Sequence, residues 1–111
     1  MKRSPLLRKA ELRSKYRTHK DPVTPEMRAE VAARDGSCVM SQLDPTHICR
    51  DTFGNEISPF GEYEIDHIDT GGVGKRGPSV PGNLVRLCPS GHAEKTYNAR
   101  KWRPVLREWA A

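Results

Sequence analysis

Glu62-Tyr63-Glu64-Ile65-Asp66-His67-Ile68 alternates polar and apolar side chains through its first half, the pattern of a strand with one buried face. The pattern stops at Asp69. Residues 69–82 then hold five glycines and two prolines, which predicts a long irregular loop. Asn83-Leu84-Val85-Arg86-Leu87-Cys88 reads as a second strand, ended by Pro89-Ser90-Gly91. From there to Trp102 the spacing of Ala93, Tyr97 and Lys101 predicts a helix, with Ser90 as its candidate cap and Pro104 interrupting or restarting it. Val105, Leu106 and Trp109 form the apolar face of a last turn or two that packs back on the body, and both tryptophans read as core or core-edge residues.

Upstream, Thr24-Pro25-Glu26 carries a capping hydroxyl, a proline where no amide donor is needed, and an acid at the positive helix end. With Met27 and Val31 on one face and Gly36 as a left-handed stop, a helix is expected over about residues 25–35. Residues 41–61 read as irregular connection with a turn at Phe53-Gly54-Asn55-Glu56. The fold class is therefore α+β, a two-stranded hairpin with a long loop followed by a helix, plus an N-terminal helix.

The chain has 111 residues, enough for one domain. Only 35% of it is hydrophobic against 30% charged, so apolar material is thin and added staples are expected. No run approaches the ~20 apolar residues that cross a bilayer, and the Leu6-Leu7 pair is too short for a signal-peptide core. A soluble, cytoplasmic protein is expected. Three cysteines cannot all pair with one another, which favours free thiols or metal ligands over a disulfide framework. The net charge of +5 is unevenly placed: residues 1–25 hold eight basic residues against Glu11 and Asp21, and the remainder is −1. A basic arm, residues 1–23, on a near-neutral body, residues 24–111, fits a polyanion, because each neutralised phosphate releases counterions. His19 lies in this arm and reads as solvated.

Asp66-His67 at the end of the first strand, Asn83 opening the second and His92 at the start of the helix place three polar groups on one strand-loop-strand-helix unit. A carboxylate and an imidazole can bind a divalent cation, while a second imidazole takes a proton from water near neutral pH. With a basic arm to hold phosphates, this is a kit for metal-assisted phosphodiester hydrolysis. Adjacent residues on an ideal strand point to opposite faces, so the strand must twist or end for Asp66 and His67 to address one phosphate. Asp69-Thr70-Gly71-Gly72 supplies such an exit.

Glu64-Ile65-Asp66-His67-Ile68, then Asn83-Leu84, then Leu87-Cys88 with His92 and Lys95 behind, resembles the HNH endonucleases of the ββα-metal (His-Me finger) fold, over about residues 34–102. The resemblance implies that His67 is the general base, that Asp66 and His92 hold one divalent cation such as Mg²⁺, and that Asn83 orients His67 or braces the loop. It implies DNA as substrate, with 5′-phosphate and 3′-hydroxyl ends, and Lys95 and Arg86 as added positive charge beside the phosphate. Lys75 and Arg76 in the glycine-rich loop are further candidate DNA contacts. Small proteins of this kind are frequent in bacteriophage genomes, some beside the DNA-packaging machinery.

Many members of that family also carry two C-x-x-C pairs that bind structural zinc. Here the pairs read Cys38-Val39-Met40-Ser41 and Cys88-Pro89-Ser90-Gly91, each one thiol short. Cys49 and His47 could complete a set with Cys38 and Cys88, though one residue separates them where two to four are usual. Without zinc, the cysteines are small buried apolar residues and His47 a surface or hydrogen-bonded histidine.

Two other functions compete with the nuclease: a non-catalytic nucleic-acid-binding module on the same fold, and a basic component of an RNA-protein assembly. The last leaves the His and Asp placement unexplained. Removing residues 1–20 is expected to lower DNA affinity and flatten its dependence on salt, measured by fluorescence anisotropy at several salt concentrations. An unaltered slope would take the arm out of phosphate contact.

Overall fold

The computed structural model describes residues 22–70 and 77–111. Most of the basic arm, with His19, and the loop residues Lys75 and Arg76 lie outside that range.

Helix α1, Pro25–Asp35, begins and ends where its sequence signals place it. Thr24 Oγ1 accepts from the Met27 amide at 3.1 Å, and Gly36 closes the helix at φ 77° with its N–H on the Ala32 carbonyl. Met27, Val31 and Asp35 recur every four residues, half-buried, buried and buried. A second helix, α2, spans Val39–Leu43 and runs into the start of the stretch, residues 41–61, expected to be irregular. It is five residues long, and Val39 and Met40 are fully buried in it. The remaining connection does turn at Gly54: the Asp51 carboxylate accepts from the Phe53 and Asn55 amides, and Arg50 bridges Glu56.

Strands β1, Glu64–His67, and β2, Leu84–Leu87, pair antiparallel, with Glu64 opposite Leu87 and His67 opposite Leu84. Both are shorter than the alternation suggested, and Asn83 belongs to a 3₁₀ turn, Pro81–Asn83, that delivers the chain into β2. All four residues of β2 are buried, as expected for a strand with helices on both sides. Helix α3, Pro89–Tyr97, is capped by Cys88, whose thiol accepts from the Gly91 amide; the expected cap, Ser90, instead bonds to Ile48 and Arg50. The helical stretch breaks at Asn98 rather than at Pro104, and helix α4, Ala99–Ala110, runs through the proline. Its buried face is Trp102, Leu106 and Ala110, whereas Val105 is exposed. Trp109 is half-buried against the core. Among the described residues no helix is long and apolar enough to cross a membrane.

The core is built on Met40, Ile68, Val85, Leu87, Trp102 and Leu106, together with all three cysteines. At its edge the Asp35 side chain is fully buried beside Arg34. Its Oδ1 accepts from Arg34 Nε at 2.7 Å and Trp109 Nε1 at 2.9 Å, and its Oδ2 from Arg34 Nη2 at 3.1 Å and the Arg86 amide at 2.9 Å. The other face of Arg34 donates to the Pro81 and Leu84 carbonyls, both at 2.7 Å. One carboxylate thus ties α1, β2 and α4.

Asp35→Ala is expected to destabilise the fold by about 3 kcal/mol, because it leaves the Arg86 amide, the Trp109 indole and one edge of the Arg34 guanidinium without their shared acceptor. Urea unfolding of both proteins checks this; a loss below ~1 kcal/mol would mean that the network relaxes around the deletion.

Candidate functional site

β1 ends at His67, and the next three residues are fastened rather than free. The Ile68 amide donates to the Asn83 carbonyl at 2.8 Å. The Asn83 side chain accepts from the Asp69 amide at 2.9 Å and donates to the Asp69 and Pro78 carbonyls at 3.1 and 2.9 Å. Arg107 of α4 grips the Asp69 carboxylate with two bonds of 2.6 and 2.7 Å, which hold that carboxyl below the usual range. Asn83 therefore braces the loop through backbone groups on either side of it, and its role is positional. The strand end that the Asp66-His67 geometry required is provided here.

Asp66, His67 and His92 line one pocket of about 430 Å³, closed by Pro22, Val23 and Arg28 near the start of α1 and by Ile65 and Thr70. Glu64 and Asp66 lie two residues apart on β1 and share the face toward α3. His92, in the first turns of α3, sits between them: Nδ1 is 2.7 Å from Glu64 Oε2, and Nε2 is 3.2 Å from Asp66 Oδ1. A carboxylate on Nδ1 favours the tautomer whose Nε2 lone pair is available, the usual arrangement of a metal-ligating histidine. Asp66 Oδ1 and His92 Nε2, 3.2 Å apart, have about the ~3 Å separation of two neighbouring ligands on one small divalent cation. His67 Nε2 lies 2.9 Å from Ser79 Oγ, whose side chain is buried. Ser79 gives no signal in sequence, being one small residue in a loop of glycines and prolines.

Two residues expected to face DNA are placed elsewhere. Lys95 is buried, with Nζ 2.8 Å from Asp66 Oδ2 and 2.6 Å from the His67 carbonyl, so it fixes the strand end and the unused edge of Asp66. Arg86 is buried over the Tyr63 ring at 4.1 Å and donates to the Ala32 carbonyl at 3.3 Å. Neither presents its charge to a ligand. Single-sequence reading sees a basic residue at helical or strand spacing and assigns it to the surface by default.

A second cluster lies behind α3. Cys38 precedes α2, His47 and Cys49 come from the connection, and Cys88 caps α3; their ligand atoms all lie within 4.8 Å of one another. These four residues could hold a metal ion. The close spacing of His47 and Cys49 is resolved because Ile48 between them is 47% exposed, so the flanking pair turn inward together. His47 Nε2 is 3.4 Å from Cys88 Sγ, which also accepts from the Gly91 amide and contacts Ser90 Oγ, both at 3.2 Å. A hydrogen bond from the Cys38 thiol, followed by those from His47 and Ser90, pulls Cys88 far below the ordinary thiol range. The same shared proton and burial raise Cys38, and burial pushes Cys49 up to about 11. Three sulfurs with one imidazole form a donor set of the kind that binds zinc tetrahedrally. Position 91 is glycine for a packing reason: a Cβ there would lie 3.2 Å from both Cys38 Sγ and Met40 Cβ.

No protein-family model, curated protein or solved structure matches this chain.

The purified protein is expected to carry one zinc per chain by elemental analysis, and its thiols to react with a disulfide reagent only after chelation. Cys49→Ala should lose the ion and melt at lower temperature. Immediate reaction of all three thiols in metal-replete protein would exclude them as ligands.

Proposed function

We propose that the chain is a metal-dependent endonuclease of the HNH type, in which β1, β2 and α3 form a ββα-metal core that hydrolyses DNA phosphodiester bonds. The observation that carries this reading is the single pocket joining Asp66, His67 and His92, residues that are up to 26 positions apart in sequence. Around it, Glu64 orients His92, Lys95 orients Asp66, and Asn83 holds the loop that ends the strand.

Asp66 and His92 would hold the divalent cation. Bound there, such an ion polarises the phosphodiester and stabilises the negative charge that develops on the departing 3′ oxygen. His67 takes the proton of the attacking water, with Ser79 beside Nε2 restraining the ring, so the new P–O bond forms as the bond to the 3′ oxygen breaks. Lys95 keeps the second oxygen of Asp66 occupied, so that Oδ1 is the one presented. The basic arm supplies non-specific affinity for the duplex.

A non-catalytic nucleic-acid-binding module is the second reading. The ion pair between Lys95 and Asp66 favours it, because that ammonium already neutralises charge that a cation would otherwise neutralise. Supercoiled plasmid separates the two readings: the nuclease converts it to open-circular or linear form in the presence of Mg²⁺, whereas a binding module only retards it. His67→Ala is expected to reduce cleavage by ~10²–10⁴-fold with DNA affinity retained, and His92→Ala to raise the Mg²⁺ concentration needed for half-maximal rate. Turnover in His67→Ala equal to the native rate would remove that residue from the base role.

A further inference from the structure

The pocket that joins Asp66, His67 and His92 has a wall that does not come from the hairpin or from α3. Helix α1 contributes Arg28 to it. One basic side chain on each of α1, β2, α3 and α4 is engaged within the fold. Lys95 is spent on Asp66 and the His67 carbonyl, Arg86 on Tyr63 and the Ala32 carbonyl, and Arg34 on Asp35 and two backbone carbonyls. Arg107 is held by Asp69. Arg28 is exposed, and among the described residues its guanidinium has no carboxylate or carbonyl partner. It lines the same pocket as Asp66 without forming an ion pair with it, which leaves room for an anion between them.

We infer that Arg28 binds a phosphate of the bound DNA strand at the reacting linkage, so that α1 supplies the anion-binding half of a site whose other half is Asp66, His67 and His92. This rests on the nuclease reading given above. The chemistry follows from the charges present. A phosphodiester entering this pocket meets the Asp66 carboxylate, and the Lys95 charge is buried behind it. An exposed guanidinium on the facing wall offsets that repulsion and, with its fork of donors, fixes the orientation of two non-bridging oxygens as an ammonium would not. Position 28 is held by the rigid helix rather than by a loop, since Asp35 anchors α1 two turns further on.

The test compares Arg28→Ala and Arg28→Lys with the native chain. In plasmid cleavage, Arg28→Ala should lower kcat/KM by about 10- to 100-fold, the range of a lost charge-assisted contact, with the Mg²⁺ dependence and melting temperature unchanged. Arg28→Lys should recover only part of the loss, and added guanidinium ion should restore rate to the alanine variant but not to the lysine one. In DNA binding measured against salt, the alanine variant should lose about one unit of slope. Native kcat/KM in Arg28→Ala overturns the inference while leaving the nuclease reading standing. If the native protein binds DNA without cutting it, that reading falls, and the salt slope alone decides: an unchanged slope in Arg28→Ala overturns the phosphate contact as well.

Discussion

A carboxylate with no solvent exposure must find every one of its partners inside the protein, and Asp35 finds four donors on three different elements. The requirement is strict because the carboxylate itself has no solvent to turn to. Trp109 brings the end of α4 to the end of α1, and the Arg86 amide fixes where β2 passes beneath both. With those three elements pinned, β1 has one register left to take, since Glu64 must lie opposite Leu87 for Glu64 and Asp66 to face α3. The placement of the pocket is thus settled at a point that takes no part in its chemistry.

Helix α3 serves two sites from opposite ends of its first turn. Cys88, at the cap, belongs to the sulfur cluster; His92, four residues later, belongs to the pocket with Asp66. One turn of helix is ~5.4 Å of rigid spacing. An ion held by Cys38, His47, Cys49 and Cys88 would anchor the start of α3 against two segments that have little apolar surface of their own, and so also fix His92 against β1. In a chain only 35% hydrophobic, such an anchor would stand in for core volume the sequence lacks.

The parts of the fold legible in sequence were those governed by local chemistry. Thr24, Pro25 and Gly36 mark the ends of α1 because capping depends on neighbours in the chain. The two strands, the break at Pro89 and the Asp66-His67, Asn83 and His92 set were legible for the same reason or through the family resemblance. What escaped was decided by tertiary contact. Pro104 does not break α4, and the boundary falls at Asn98. Lys95 and Arg86 are interior because a carboxylate and an aromatic face wait for them across the fold, information that no window of sequence holds. The His47-Cys49 spacing is tighter than usual for ligands, and the outward turn of Ile48 between them is what lets both face inward. Arg28 stood outside the stretch that carries the resemblance, and only the pocket connects it to His67.

Gly91 occupies the position at which a paired-cysteine arrangement would have its fourth sulfur. The backbone there runs so close to Cys38 and Met40 that even a methyl group would be crowded. A side chain at position 91 would therefore press on Cys38, while His47 already brings a ring nitrogen to within 4.8 Å of all three sulfurs.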